Sequence, residues 1–265
     1  MPSQHPRKRI GLFIPCFNVE HTLPLVLARL PLAASQRLEV ILIVDNQSSD
    51  ATRKVAQECI VRLGLDQAKV YCNVSNYLLG GSTVVAFDLA RQMNLDFLIC
   101  LHSDGQADAL DVARFISVID SGDFDFVLGS RLLKDSRVDG YSRSRYLFNL
   151  LFAYLQQPLV GQPVFDLGAY VAFNIKTLTS IPYHRLKADM GYHPYLISCA
   201  RQFLGRKLRI HEFPIAWGKV ETSHINPVVY GLRHAWRLAR LAIGGAKLSA
   251  TTQEYATEQI YPPLK

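Results

Sequence analysis

Hydrophobic and polar positions along the chain fall into a simple alternation over the first half. Short apolar runs at 10–14 (IGLFI), 39–44 (EVILIV), 69–72 (KVYC), 97–101 (FLICL) and 125–129 (DFVLG) are bounded by polar or glycine turns and predict strands. Between them, residues 20–30, 50–63, 81–93 and 108–120 carry helical periodicity. Strands that alternate with helices predict an α/β fold with a mostly parallel central sheet, right-handed crossovers and helices on both faces. After residue 130 the rhythm changes. A basic loop leads to a helix near 143–156, a Gly- and Pro-spaced segment to 174, a helix near 190–204, a strand near 208–215 and a helix near 228–243. The last 20 residues are weakly patterned and are expected to fray or drape over the surface. No internal repeat or low-complexity linker interrupts the chain.

The ends of the predicted strands carry the chemistry. The first runs into Pro15-Cys16-Phe17-Asn18-Val19-Glu20, the second into Asp45-Asn46-Gln47-Ser48-Ser49-Asp50, and the fourth into His102-Ser103-Asp104-Gly105-Gln106. Taken singly, Ser49 and Asp50, or Asn18 and Glu20, read equally as helix caps. Together they line one edge of a parallel sheet, the carboxyl edge where open α/β sheets bind ligands.

Composition narrows the partners. With 265 residues, 49% hydrophobic and 19% charged, the chain can bury a sizeable core. A formal charge of +7 points to an anionic partner. Aromatic and basic interleaving, helix-turn-helix patterning and zinc spacing are all missing, so nucleic acid is not the expected partner. No run approaches the ~18 apolar residues of a membrane span, and GLFIPCF is too broken by Pro15 and Asn18 for a signal peptide. The expected location is cytoplasmic, free or peripheral at the inner face of the membrane. Five scattered cysteines without metal-ligand spacing read as reduced structural thiols.

The ordered motifs Pro-X-Phe-Asn-X-Glu, Val-Asp-Asn-X-Ser-X-Asp, Asn-X-X-X-Gly-Gly (Asn76 to Gly81), His-X-Asp-Gly-Gln and Gly-Ser-Arg (129–131) resemble those of the family 2 glycosyltransferases with the GT-A fold. The resemblance covers about residues 8–220, and the subgroup it is most similar to is the dolichol- and polyprenyl-phosphate sugar transferases. It implies a GT-A domain over 1–220 followed by an amphipathic helix and tail over 221–265. It also implies a nucleotide-diphosphate-sugar donor, UDP-sugar favoured over GDP-sugar, a divalent Mg²⁺ or Mn²⁺, inversion at the anomeric carbon, and a polyprenyl-phosphate or glycan acceptor.

Residue by residue, the resemblance implies Asp104 and Gln106 as metal ligands. His102, which stands where the family has its first Asp, becomes a direct or neighbouring donor. A cation there neutralises the departing diphosphate. Pro15, Phe17, Glu20, Asp45, Gln47, Asn76, Gly81, Ser103 and Asp104 are the expected nucleotide-binding residues, with Gly80 and Gly81 letting backbone approach the ligand. Asn46 replaces the second acid of the family's Asp-Asp pair. Arg131 faces the diphosphate or the acceptor, and Arg143, Arg145 and Asp166 are expected on the acceptor side. Lys134 and Arg137 add to a cationic loop that suits a phosphorylated acceptor, since Arg grips phosphate oxygens bidentately; a solvated basic face is the alternative.

A catalytic base is harder to find, with Asp189 the candidate. A phosphate monoester needs none near neutral pH, because its second proton leaves near pH ~6. The final helix sets Arg233, Arg237 and Arg240 on one stripe beside Val229, Leu232, Trp236, Ala239 and Ile243, which suits either a membrane interface or packing on the domain. A catalytically silent binding module is the other function class, motivated by His102 and Asn46.

Overall fold

The computed structural model of the chain describes residues 7–218 and 227–262. The five apolar runs are strands: β1 (Ile10–Cys16), β2 (Val40–Asp45), β3 (Ala68–Asn73), β4 (Phe97–Cys100) and β5 (Phe126–Ser130). β2, β4 and β5 are buried at every position. Continuous apolar sequence of this kind belongs to strands covered on both faces.

Helices fill the intervals. The helix expected over 20–30 is α1 (Leu23–Ala28), and a further helix that the pattern did not predict, α2 (Leu32–Arg37), starts after Pro31, since a proline cannot continue the ladder and pushes the residue before it out of the helical region. α3 (Thr52–Leu63) stops at Gly64 in the left-handed region. α4 (Leu78–Gln92) and α5 (Asp111–Ser121) follow β3 and β4.

The second half adds β6 (Arg137–Val138), α6 (Arg143–Val160), β7 (Tyr170–Asn174), α7 (Ile175–Thr179), α8 (Tyr192–Leu204), β8 (Ile210–Pro214), β9 (Ala216–Trp217), α9 (Pro227–Gly244) and β10 (Thr257–Tyr261). The main sheet runs β10-β3-β2-β1-β4-β7-β5-β8. β3, β2, β1 and β4 are mutually parallel, and β5 pairs parallel with β8. β7 lies antiparallel between β4 and β5. Two apolar clusters cover the two faces. One packs α1, α2, α3 and α5 through Leu23, Val26, Ala34, Ile60 and Phe115. The other packs α4 and α8 through Val84, Phe87, Tyr192 and Leu196. The mostly parallel sheet with helices on both faces is therefore present.

Two segments depart from expectation. The Gly- and Pro-spaced stretch before 174 contains β7, whose apolar run YVAF sits inside the sheet with four of its five residues buried. Gly168 and Pro163 upstream hide it from a periodicity reading. The tail does not simply fray: β10 pairs antiparallel with β3, Thr257 opposite Asn73 and Gln259 opposite Tyr71. All five cysteines are free thiols.

Candidate active site

Three strand mouths are laced together at the carboxyl edge. Asn46 N donates to Cys16 O at 2.8 Å, Asn18 N to Ser48 Oγ at 2.9 Å, and Val19 N to Thr52 Oγ1 at 2.8 Å. Ser103 Oγ donates to Pro15 O at 2.5 Å and Thr22 Oγ1 to Ser103 O at 2.8 Å, which brings in the β4 mouth. Asn18, Gln47 and Leu78 all hold positive φ here, at 53°, 65° and 59°. Such conformations cost energy for non-glycine residues and persist where neighbouring structure over-determines them, commonly at functional sites.

Asp45 ends β2 with its side chain buried. Its Oδ2 accepts from Ser48 N at 3.1 Å and lies 3.8 Å from Arg53 Nε, while its Oδ1 has no hydrogen-bond partner. An unpaired buried carboxylate oxygen is costly, and a ligand N–H would satisfy it. Cys72 Sγ, opposite Asp45 in the β2–β3 register, lies 3.7 Å from the Asp45 carboxylate. Gln47 turns its Nε2 to Asn73 O, and Phe17 stands 47% exposed at the β1 mouth.

The asparagine in place of the second acid has a structural role. Asn46 Oδ1 accepts from Tyr77 N at 2.8 Å and Asn73 Nδ2 at 2.9 Å, and Asn46 Nδ2 donates to Asn76 Oδ1 at 2.8 Å. It ties β2 to the first turn of α4; an aspartate there could not donate to Asn76.

Several expected nucleotide residues are committed elsewhere. Glu20 Oε2 accepts from Ala51 N at 2.8 Å, joining the β1 mouth to the start of α3. The Gly80-Gly81 pair does not open onto a ligand. A Cβ on Gly81 would lie 2.4 Å from Tyr77 Cβ and 3.0 Å from the Tyr255 ring, and one on Gly80 would meet the Ala188–Asp189 backbone at 2.4 Å. These glycines admit protein, not substrate.

At the β4 mouth, Gly105 (φ 75°) lets the chain fold back so that Gln106 N donates to Asp104 Oδ1 at 3.0 Å, an Asx-turn. The Gln106 Nε2 lies 3.5 Å from Gly218 O; turning the amide over would let its oxygen accept from Trp217 Nε1 at 3.2 Å and its nitrogen donate to Asp104 Oδ2 at 3.3 Å. In either orientation the Gln106 backbone holds Asp104. Burial pushes His102 below the usual histidine pKa, opposed by the Asp104 charge and reinforced by Arg131. Its imidazole is neutral at pH 7 and keeps an unprotonated ring nitrogen. No group of three or more His, Cys, Asp or Glu that could hold a metal occurs among the described residues. Asp104 and neutral His102 suit a divalent cation whose coordination is completed by diphosphate oxygens and water.

Arg131 is the most constrained cation of the site. Its Nε donates to Asp166 Oδ2 at 2.7 Å and its Nη2 to Asp166 Oδ1 at 2.9 Å, and its guanidinium stacks 4.8 Å from the Trp217 ring and 5.7 Å from Tyr141. Asp166, expected to bind acceptor, is buried and occupied by this bidentate pair, so it positions Arg131 instead. Glu212 supports the pair from β8, accepting from Asp166 N at 2.8 Å and Phe165 N at 3.0 Å. Burial raises its pKa, against those hydrogen bonds.

Trp217 was not singled out from sequence. It lies against His102 and Arg131, and its one signal is an aromatic two residues past Glu212-Phe-Pro-Ile215, which resembles the family's Glu-X-Pro-Ile strand. Lys219, Ser223 and His224, which the resemblance implies as the nearest counterparts of a lysine-containing motif that usually follows in the family, lie outside the described residues.

On the acceptor side, Arg143 and Arg145 are exposed at the start of α6, where Ser142 Oγ caps by accepting from Arg145 N at 3.2 Å. The Arg145 guanidinium lies 4.9 Å from the Tyr141 ring. Asp189, the candidate base, is gripped by Arg237 of α9: Nη1 donates to Oδ1 at 2.8 Å and Nη2 to Oδ2. Both carboxylate oxygens are thus taken up by the Arg237 guanidinium. Arg237, itself half-buried by this pair and by Tyr195 at 5.4 Å, leaves the exposed basic stripe to Arg233 and Arg240.

Comparison with known proteins agrees with this geometry. Over 177 residues the chain is 27% identical to polyprenol monophosphomannose synthase of Mycolicibacterium smegmatis, covering 66% of this chain and 65%, just under two thirds, of that protein. Over 252 residues it is 25% identical to UDP-N-acetylglucosamine–dolichyl-phosphate N-acetylglucosaminyltransferase of Methanococcus voltae, covering 89% of this chain and 97% of the relative. Glucosyl-3-phosphoglycerate synthase of Mycobacterium tuberculosis, solved with Mn²⁺, UDP and glucosyl-3-phosphoglycerate, superposes with a TM-score of 0.58 at 16% identity over 95% of this chain and 87% of that one. A likeness at that identity speaks for the fold, which is GT-A. The model of the family described as Glycosyl transferase family 2 matches residues 12–179, well over half of the chain, and the protein belongs to that glycosyltransferase family.

Proposed function

We propose that the protein transfers a sugar, with inversion, from a nucleoside-diphosphate donor to a polyprenyl phosphate met at a membrane surface. The observation that carries the acceptor class is the commitment of the acids beyond Arg131. Asp166 and Asp189 are each bidentately paired with an arginine, and Glu212 accepts from backbone N–H groups. A sugar hydroxyl would need a base to take its proton. A phosphate monoester is largely dianionic at pH 7, and its oxygen attacks the anomeric carbon as the bond to the donor's diphosphate breaks and the nucleoside diphosphate leaves with the electron pair.

In this reading Asp45 Oδ1 accepts a base N–H of the donor, with Gln47, Cys72 and Phe17 around it. Asp104 and His102 hold Mg²⁺ or Mn²⁺, which when bound neutralises the departing diphosphate. The donors named for relatives are consistent with a nucleotide sugar, UDP among them. Arg131, fixed by Asp166, Trp217 and Tyr141, orients the phosphate groups that meet in the crevice, and Arg143 and Arg145 attract the anionic acceptor at its rim.

The surface next to that rim supports a lipid setting. α6 leaves Leu147, Leu151, Tyr154 and Leu155 exposed, and α9 leaves Leu232, Trp236 and Ile243 exposed. The two helices pack together through Phe152 and His234, whose ring centroids are 5.6 Å apart. They contain Arg143, Arg145, Arg233, Arg237 and Arg240 but no Asp or Glu. Exposed apolar side chains beside Arg143, Arg145, Arg233 and Arg240 suit an anionic bilayer surface, while Arg237 is held by Asp189. No helix among the described residues is long and apolar enough to cross a membrane.

The test is transfer from labelled UDP- and GDP-sugars, with Mn²⁺, to polyprenyl phosphate and separately to a free oligosaccharide. A sugar-phosphate lipid should form, and Asp189→Asn should slow it only modestly. Efficient transfer to the oligosaccharide, with a roughly thousandfold loss in Asp189→Asn, would assign Asp189 as base and overturn the lipid-phosphate reading.

A further inference from the structure

The family model stops at residue 179, yet the far end of the described chain returns to the donor side of the crevice. After α9 the chain is pinned to the turn at residues 183–185, before α8: Ser249 N donates to Arg185 O at 2.8 Å, and Gln253 N to His184 O at 3.1 Å. It then reaches the loop between β3 and α4. Val74 N donates to Ala256 O at 3.0 Å, Ala256 N to Tyr77 Oη at 3.3 Å, and Thr257 Oγ1 to Cys72 O at 3.0 Å. Tyr255 sets its ring edge-on to Tyr77, centroids 5.0 Å apart, and lies over Gly81, where a methyl group would already crowd it at 3.0 Å.

The residues it holds form the back of the donor pocket. Tyr77 N bonds Asn46 Oδ1, Asn46 is joined to Asn73 and Asn76, and Gln47 Nε2 bonds Asn73 O. Cys72, whose carbonyl receives Thr257, carries the thiol beside the Asp45 carboxylate. The path from Tyr255 to Asp45 therefore runs through direct contacts, by Tyr77 and Asn46 on one side and by Thr257 and Cys72 on the other.

We propose that residues 249–261 act as a strap that sets the shape of the donor pocket, with Tyr255 as its positioning residue. The inference rests on the donor reading above and adds an element that reading does not use. Tyr255 touches neither substrate nor reacting atoms. It fixes Tyr77 and the first turn of α4, and through them the Asn46–Asn73–Gln47 wall against which the base and ribose lie. β10, paired antiparallel with β3 across a register shift between Gln259 and Tyr261, keeps the strap from sliding.

The experiment measures UDP and GDP binding with Mn²⁺ by calorimetry, donor KM and kcat, and hydrogen exchange of residues 73–81, in the full chain. Tyr255→Ala should weaken nucleoside-diphosphate binding and raise donor KM about tenfold with kcat nearly unchanged, in line with coupling through contiguous contacts. Exchange over 73–81 should accelerate, and Tyr255→Phe, which keeps the ring, should restore both. If Tyr255→Ala does not fold, Tyr255→Leu fills the space without the edge-on ring contact and carries the same expectation. A variant that melts earlier but binds UDP and GDP like wild type would make the strap merely structural and overturn the proposal. Failure of the wild-type protein to bind either nucleotide would overturn both this inference and the donor reading, and is recognisable because it precedes any variant.

Discussion

Two buried aspartates stand at opposite ends of the same sheet. Asp125, just before β5, is saturated: its carboxylate accepts from Arg206 Nη1 and Nη2 at 2.7 Å each, Arg209 N at 2.8 Å and Thr177 Oγ1 at 2.8 Å. Those bonds hold its pKa well below the usual carboxylate range in spite of burial. Asp45, at the carboxyl end of β2, is equally buried but keeps Oδ1 without a partner. The first arrangement is what a fold does with a charge it needs for itself. The second leaves a polar group underserved at a cost of about 1–3 kcal/mol, which makes sense where a ligand supplies the missing donor. The carboxyl edge carries further marks of a site, with positive φ at Asn18, Gln47 and Leu78 and the Asp104 carboxylate held in an Asx-turn at the β4 mouth.

The contrast can be broken in graded steps. Asp104→Asn removes the one carboxylate of the β4 mouth and should cost about 10³-fold in kcat, about 4 kcal/mol of transition-state stabilisation, with an unchanged melting temperature. Retention of more than about a tenth of the rate at saturating Mn²⁺ contradicts the role. Asp125→Ala should do the reverse, losing about 3 kcal/mol in urea denaturation while the folded fraction keeps its kcat, because two arginines and a backbone N–H lose their acceptor. A large kinetic defect there would erase the distinction between the two edges.

Acid sharpens the same comparison. Burial holds His193 down to about 3 and His234 to about 4, against about 6.5 in the unfolded chain. The unfolded state therefore binds protons first. The stability these groups contribute is complete above about pH 6.5 and drains as the pH falls toward 4, by up to about 1.4 kcal/mol per pH unit for each group. Asp125, depressed as a carboxylate, adds its own loss only below about pH 4. Urea midpoints at pH 7.5, 6 and 5 should decline in wild type and in Asp125→Ala by the same increment; a flat profile to pH 5 contradicts the buried neutral histidines.

Much of the fold was legible because β1 to β5 are nearly unbroken apolar runs and α3 to α5 carry clear periodicity. β7 was not, because it enters antiparallel after the Gly- and Pro-spaced stretch that follows α6, outside the alternation of the first half, and β10 was not, because TEQIY is an edge strand with only its pairing to mark it. Motif order placed Asp45, Asp104 and Arg131 at strand ends, and the structure sets all three at the carboxyl edge. It did not reveal that Asp166, Asp189 and Gly81 meet Arg131, Arg237 and Tyr255, which lie 35, 48 and 174 residues away in sequence. Trp217 stayed hidden because a lone buried aromatic reads as core until the cation stacked on it is seen.

The measurement that bears most directly on the account is a calorimetric titration of UDP and GDP, with Mn²⁺, into wild type, Asp45→Asn and Asp125→Ala. The account predicts saturable binding of at least one nucleotide by wild type, a loss of about ten- to thirtyfold in Asp45→Asn as the base N–H loses its charged acceptor, and wild-type affinity in Asp125→Ala. Binding by Asp45→Asn as tight as wild type, or a weakening shared equally by both variants, would contradict a carboxyl edge reserved for the donor.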